Sequence, residues 1–172
     1  MLGGIVMANT KVPVPLEWKE GGLRYSTGIN YETARKMIDA AMAEAEQQGL
    51  RMVIAVADSG GNLVAFGRMD HAMLASIQIA MDKAFTAAYG MVPTQIWRSV
   101  VQSGEVPPLF IHEHWTAFPG GFPIIKDNQL FGGIGSSGAT AYGDTSVSRA
   151  ALLAGGFSTD DADDILKDMT DD

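Results

Sequence analysis

The pattern of apolar and polar residues is clearest over residues 51–70, where two apolar runs flank a short polar segment. The first run, 52–57, is apolar at every position, which is typical of a strand covered on both faces. The second run, 63–66, follows Asp-Ser-Gly-Gly-Asn at 58–62. Small turn-forming residues between such runs predict a β-hairpin. We therefore expect this hairpin to lie at the centre of a sheet.

Apolar residues recur at helical spacing in four other segments. The first begins at Asn30, a suitable N-cap, and stops before Gly49, a suitable terminator. The second opens at Asp70 and ends at Gly90, while Pro93 and Thr94 begin a shorter helix. The predicted helices cover 30–48, 70–89, 93–101 and 141–154.

A second hairpin is predicted over 118–134, with a polar turn at 126–128 between two apolar runs. The elements then run helix, hairpin, helix, short helix, hairpin, helix. Because strands and helices do not alternate singly, a doubly wound parallel sheet is disfavoured. The order predicts an α+β protein with an antiparallel sheet of about five strands flanked by helices.

Three regions are expected along the chain. Residues 1–29 lack periodicity, and prolines near their middle favour extended structure, so we expect an arm that packs on the domain or on a neighbouring subunit. Residues 30–156 form the domain. Residues 157–172 are an acidic tail that we expect to fray, although one capped turn or helix around Ile165, Leu166 and Met169 is the alternative.

Composition narrows the functional classes. The 172 residues carry a formal net charge of −8, which argues against nucleic acids and anionic membranes as partners. The absence of cysteine excludes disulfides, thiolate catalysis and cysteine-ligated metal sites. No apolar run approaches the ~18 residues of a membrane span, and the N-terminal segment lacks a basic region before its short apolar stretch. We expect a soluble cytoplasmic protein.

The segment His112-Glu113-His114-Trp115 is the richest cluster of potential metal ligands. In an extended chain the two imidazoles would project to one face roughly 7 Å apart. Such a pair suits a metal ion with a third ligand, or offers one imidazole to a haem iron. The remaining histidine is His71. The alternative is a surface loop with hydrogen-bonded histidines.

Four charged residues stand at strand ends or within apolar helical sequence: Asp58, Arg68, Asp70 and Lys83. A half-buried Lys83 would be paired or would have a lowered pKa. Together with glycine-rich backbone these groups make an anion site plausible, since arginine and lysine suit carboxylates. The alternative for each residue is an ion pair or a turn hydrogen bond.

A G-x-G-x-x-G sequence, formed by Gly133, Gly135 and Gly138, follows a predicted strand and precedes a helix. A dinucleotide site would need a second strand after that helix with an acidic residue at its end, and the remaining residues supply neither. Nucleotide binding is therefore disfavoured. Backbone without side chains would still let a planar or anionic ligand approach the sheet.

Two stretches resemble one known family. AVADSGGNLVAFGRMDHAMLASIQIAMDKAFTAAYG and FPGGFPIIKDNQLFGGIGSSGATAYGD are similar to the two signatures of the GlcG/HbpS-like family, which includes the C-terminal domain of PduO-type proteins. The resemblance covers about residues 30–156. The matching positions are Asp58, Gly60, Gly61, Arg68, Asp70, Lys83, Thr86, Gly120, Gly121, Pro123, Gly135, Gly138 and Asp144.

This resemblance implies a profilin-like or PAS-like arrangement of layers and a homo-oligomer with an even number of subunits. It also implies two functional classes, because several members bind haem or related tetrapyrroles and others resemble enzymes of small ring-cleavage acids. Residues 1–29, the HEHW segment and the acidic tail do not map onto the family pattern.

The first functional prediction is a binding protein for haem or a similar planar, anionic ligand. Arg68 or Lys83 would meet the propionates, and His112 or His114 would ligate the iron. The further ligand contacts predicted are Gly120, Gly121, Gly135 and Trp115.

The alternative is a catabolic enzyme, a hydrolase, dehalogenase or isomerase, that acts on a small unsaturated carboxylic acid such as an aromatic ring-cleavage product. Arg68 and Lys83 would anchor carboxylates, while Asp58, Asp144 or a histidine would move protons or activate water. A third possibility is an oligomeric scaffold with a vestigial pocket.

Overall fold

A computed structural model describes residues 24–25, 28–104, 110 and 112–170. Most of the arm expected over 1–29 lies outside the described residues. At its end, Ile29 is buried, and its backbone N–H donates to the Phe131 carbonyl at 2.9 Å.

The sheet contains four antiparallel strands in the order β4 (Gly121–Lys126), β5 (Gln129–Ser137), β2 (Val53–Asp58) and β3 (Leu63–Arg68). The two-residue strand β1 (Arg24–Tyr25) pairs in parallel with the start of β5. The predicted α+β class is confirmed. The predicted count of about five antiparallel strands is slightly off, because the short β1 is parallel.

Five helices accompany the sheet. Asn30 caps the first as predicted, since its side-chain oxygen accepts a hydrogen bond from the Thr33 backbone N–H at 2.8 Å. The helices are α1 (Tyr31–Gln47), α2 (Ala75–Gly90), α3 (Thr94–Gln102), α4 (Ala141–Gly155) and α5 (Asp160–Thr170).

Strand β2 is buried on both faces, which confirms its predicted central position. Ile54 and Val56 belong to the larger apolar cluster with residues of α1 and α4. Val53 and Ala55 on the opposite face pack with alanines of α2. The helices α1 and α4 therefore cover one face of the sheet, and α2 covers the other.

Helix α2 begins five residues later than predicted, at Ala75 instead of Asp70. Pairing of the first hairpin extends past β3, because the Met69 backbone N–H donates to the Met52 carbonyl at 3.0 Å. The chain must therefore reverse before the helix can start. His71 lies in this reversal with a φ of 66°.

The prediction that the acidic tail frays is wrong, because α5 is formed. Ala162 is fully buried, and the Arg149 side chain of α4 donates a hydrogen bond to the Asp163 carboxylate. The apolar and cationic surface of α4 thus provides contacts that an isolated acidic segment lacks.

Among the described residues, no helix is both long enough and apolar enough to cross a lipid bilayer.

Candidate functional site

The first predicted site residue, Asp58, organises the turn of the β2–β3 hairpin. Its Oδ1 accepts hydrogen bonds from the backbone N–H groups of Gly60 at 2.8 Å and Asn62 at 2.9 Å. Gly61 follows with a φ of 75°, which glycine adopts without steric cost. Asp58 therefore has a structural role, and it is absent from the cleft described below.

The glycines of β5 allow α2 to lie directly on the sheet. A Cβ at Gly133 would be 2.2 Å from the Ala84 carbonyl oxygen, and one at Gly135 would be 2.2 Å from that of Ala80. Both distances are too short for any side chain. The strand is also antiparallel to β2 and β4, so the G-x-G-x-x-G sequence is not part of a βαβ unit.

This close packing carries Lys83 of α2 into the interior, where its side chain is 1% exposed. The ammonium Nζ donates to Asp144 Oδ2 at 2.5 Å and to the Ser136 carbonyl oxygen at 2.7 Å. A buried ammonium group needs such partners because it has lost its water. Lys83 and Asp144, two of the four predicted catalytic residues, are thus brought together.

Asp144 lies in the first turn of α4, and its side chain is 8% exposed. Its Oδ1 accepts a hydrogen bond from the Ala139 backbone N–H at 2.9 Å. A Cβ at Gly120 would be 2.6 Å from the Asp144 Cβ, and one at Gly121 would be 2.7 Å from the Lys83 carbonyl. These two glycines make room for the pair, and their role as ligand contacts stays a prediction.

Loss of solvation on burial is the largest cause of the pKa shifts of Lys83 and Asp144. It lowers the pKa of Lys83 below its ordinary value, and the nearby Asp144 carboxylate opposes that effect. It raises the pKa of Asp144, and the Lys83 ammonium opposes that effect. Both changes favour the neutral forms of the two side chains.

The pair lines a cleft of about 250 Å³. Arg98 of α3 also lines it, and apolar side chains form much of the remaining wall. Sequence reasoning missed Arg98, because an exposed arginine on a short amphipathic helix carries no distinguishing signal. The other lining residues are Met73, Ile79, Phe118, Pro119, Ser137, Gly138, Ala139 and Ala141.

The predicted anion-binding residue Arg68 lies elsewhere. It lines a second depression of about 500 Å³ together with Arg51, Asp70 and His71. Arg68 and Lys83 therefore do not share a pocket, although the sequence placed both beside the same ligand.

The two histidines of the HEHW segment lie in a turn instead of an extended chain, since the Trp115 N–H donates to the His112 carbonyl at 3.0 Å. The two histidines are therefore not placed by the extended conformation that was considered for this segment. Their ring centroids are 6.4 Å apart, and both rings contact Phe85 of α2. His114 Nδ1 is 3.1 Å from an Asp82 carboxylate oxygen.

Trp115 contacts Trp97 of α3 edge to face, with ring centroids 5.1 Å apart. Within the part of the chain that the structure describes, no group of three or more histidine, aspartate or glutamate side chains is arranged to hold a metal ion. The HEHW segment therefore provides imidazoles without a complete protein-derived ligand set.

The fold and the paired signatures agree with a match to a known family. A family model described as "Haem degrading protein HbpS-like" matches residues 29–153, so the chain belongs to the HbpS-like family. Its curated relatives include Protein GlcG of Escherichia coli K12, which is 35% identical over 113 residues, 63% of this chain and 81% of that protein.

Solved structures agree. The structure titled "PduOC:Heme Complex" shares 27% identity with a TM-score of 0.72, covering 77% of this chain and 98% of that chain. A double mutant of HbpS from Streptomyces reticuli shares 30% identity with a TM-score of 0.69, covering 81% and 95% of the two chains. The predicted family is thus confirmed, and the fold is shared along most of each relative.

Proposed function

We propose that this protein binds haem or another planar molecule that bears carboxylates. The observation that carries the proposal is the similarity to the PduOC protein, whose structure is titled as a haem complex. The family description, which names haem degradation, supports the same class of ligand.

The imidazoles beside Phe85 are the groups that we propose for the iron. Haem would bring its own nitrogen ligands to the iron, so His112 or His114 could hold it without the three-residue protein site that a bare metal ion would need. His112 is exposed and stacks on Phe85 with centroids 5.1 Å apart. Asp82 can accept the Nδ1 proton of His114, which would leave Nε2 as the free ligand atom.

The two predicted propionate anchors differ in availability. Lys83 is buried and hydrogen-bonded to Asp144, whereas Arg68 is exposed to solvent. Arg68, however, lines the same depression as His71, apart from the surface around Phe85, so we assign the propionates to neither residue.

Haemin titration followed by the Soret band tests this proposal. The wild-type protein should shift the band, and His112→Ala combined with His114→Ala should abolish the shift attributable to imidazole ligation. His71→Ala is the matched control, because it removes the remaining imidazole from a different depression. No shift with the wild-type protein would overturn the proposal. An unchanged shift in the double variant would overturn histidine ligation.

A second candidate function is catalysis on a small unsaturated carboxylic acid, by a hydrolase, dehalogenase or isomerase mechanism. The specific observation in its favour is the buried Lys83–Asp144 pair at the wall of the 250 Å³ cleft. Groups whose pKa values are displaced by burial are typical of proton-transfer sites, although structural pairs show the same displacement.

Turnover of muconate and chloromuconate, followed by chromatography, tests the catalytic candidate. Asp144→Asn preserves the shape and the hydrogen bond from Ala139 but removes the titrating group, so it should abolish turnover. Asp70→Asn is the control on an exposed carboxylate. Equal turnover in the Asp144 variant and the wild type would exclude Asp144 as the acid or base.

Assembly completes the proposal. We propose an even-numbered homo-oligomer, since the family resemblance implies such assemblies. Light scattering on the purified protein tests the subunit number. A monomer at micromolar concentration would contradict the assembly.

A further inference from the structure

Arg98 supplies the net charge of the cleft that Lys83 and Asp144 line, which we call the Lys83–Asp144 cleft. The Lys83 and Asp144 side chains neutralise each other across 2.5 Å, whether the shared proton lies on nitrogen or on oxygen. Arg98 is exposed, and no hydrogen bond or ion pair engages its side chain among the described residues. Within the described part of the chain the cleft therefore presents one unpaired cation, which favours an anion with a single charge.

The volume and the wall of the cleft restrict the rest of the ligand. An apolar protein cavity of about 150 Å³ accommodates benzene. The cleft here measures about 250 Å³, which suits one ring or a short chain with a carboxylate and is too small to enclose a tetrapyrrole. Met73, Ile79, Phe118 and Pro119 line it, so the body of the ligand meets apolar side chains.

From this combination we infer that the cleft binds a small monocarboxylic acid with an apolar body, and that Arg98 pairs with its carboxylate. The inference rests on the second candidate function only in treating this cleft as a ligand site. It assigns the carboxylate to Arg98, which the sequence did not single out, instead of to Arg68 or Lys83. It is independent of haem binding, because the haem proposal uses the surface around His112 and His114.

Calorimetric titration of the full chain with benzoate and sorbate tests the inference. Both acids should bind with a dissociation constant of about 1 mM or tighter, and the neutral analogue benzamide should bind more weakly. Arg98→Gln should weaken benzoate binding about two- to fivefold, the size expected for loss of an ion pair to an exposed arginine. Arg35→Gln, on an exposed arginine of α1, is the matched control and should bind benzoate as the wild type does.

Three results would overturn the inference: no binding of either acid up to about 10 mM, equal affinity for benzamide and benzoate, or wild-type benzoate affinity in Arg98→Gln. Circular dichroism of Arg98→Gln shows whether its fold is intact.

Phe118→Ala provides a second test of the cleft, because loss of this half-exposed apolar side chain should weaken the binding of benzoate and benzamide alike. Benzoate binding without turnover of muconate, a dicarboxylate, would contradict catalysis on that acid and leave the carboxylate site standing. Haemin binding should persist in Arg98→Gln.

Discussion

The Lys83 ammonium lies 2.5 Å from the Asp144 carboxylate, and the two residues come from helices that cover opposite faces of the sheet. They meet beside Ser136, whose carbonyl oxygen accepts a second hydrogen bond from Lys83. One buried polar contact therefore joins both helical layers to the central strand β5. This arrangement gives the pair a structural role, whatever ligand the adjoining cleft accepts.

Removal of one member of this pair should be more damaging than replacement of both. Lys83→Met leaves a buried carboxyl group without its cation, so we expect the free energy of unfolding to fall by ~3–5 kcal/mol. The double variant Lys83→Met, Asp144→Leu should lose less than the sum of the two single variants. Urea unfolding measures all three, with Lys36→Met on the exposed surface of α1 as the control. Additive losses would show that the two side chains are not coupled.

The contact between β5 and α2 should not tolerate a single methyl group. In Gly135→Ala the new Cβ would meet the Ala80 carbonyl oxygen at 2.2 Å, so the helix must move outward. We expect a loss of ~1–3 kcal/mol in the free energy of unfolding, with displacement of Lys83. Gly60→Ala is the control, because its nearest neighbour is the flexible end of Asn62. Equal stability of the two variants in thermal or urea unfolding would contradict this packing.

Asp58 should contribute to stability through its turn. Asp58→Ala removes the oxygen that accepts the N–H groups of Gly60 and Asn62, so we expect a loss of ~1–2 kcal/mol. Ligand binding by the folded variant should be unchanged, because Asp58 does not line the Lys83–Asp144 cleft. Asp70→Ala, on the exposed segment after β3, is the control for removal of a carboxylate. Loss of ligand binding at full stability would restore the predicted catalytic role.

The attachment of α5 should weaken at acid pH. The hydrogen bond from Arg149 holds the pKa of Asp163 below its ordinary value of 3.8. A carboxyl group with a lowered pKa in the folded state stabilises the fold above its unfolded pKa, and this contribution is lost as the pH falls through its folded pKa. Because both side chains are more than a third exposed, the contribution should stay below ~1 kcal/mol.

Asp163→Asn tests this prediction. The variant should be less stable than the wild type at pH 7, and the difference should shrink toward about pH 3. Asp164→Asn, which changes a more exposed carboxylate of the same helix, is the control. A difference that stays constant between the two pH values would contradict the role of the Asp163 charge.

Local pattern was enough to predict much of the fold. The alternation of apolar runs and turn residues located both hairpins, and β2 is buried on both faces as its composition predicted. The Asn30 cap placed the start of α1 correctly. The predicted start of α2 was too early because backbone pairing between Met52 and Met69 prolongs the hairpin. The prediction that the acidic tail frays was wrong because α4 supplies the contacts that hold α5.

The candidate site was likewise predicted only in part from the sequence. The local pattern identified Lys83 as a charge in apolar surroundings, because such a contrast is visible in a single stretch of chain, whereas Asp144 was identified by the resemblance to the GlcG/HbpS-like family. Their contact joins residues 61 positions apart, and the cleft adds Arg98 from a third helix. These relationships depend on how closely α2 packs against the glycines of β5, which is a property of interacting surfaces and leaves no local pattern. The sequence by itself therefore identified candidate charged residues. Packing of the helices on the sheet determined which of these residues share one cleft.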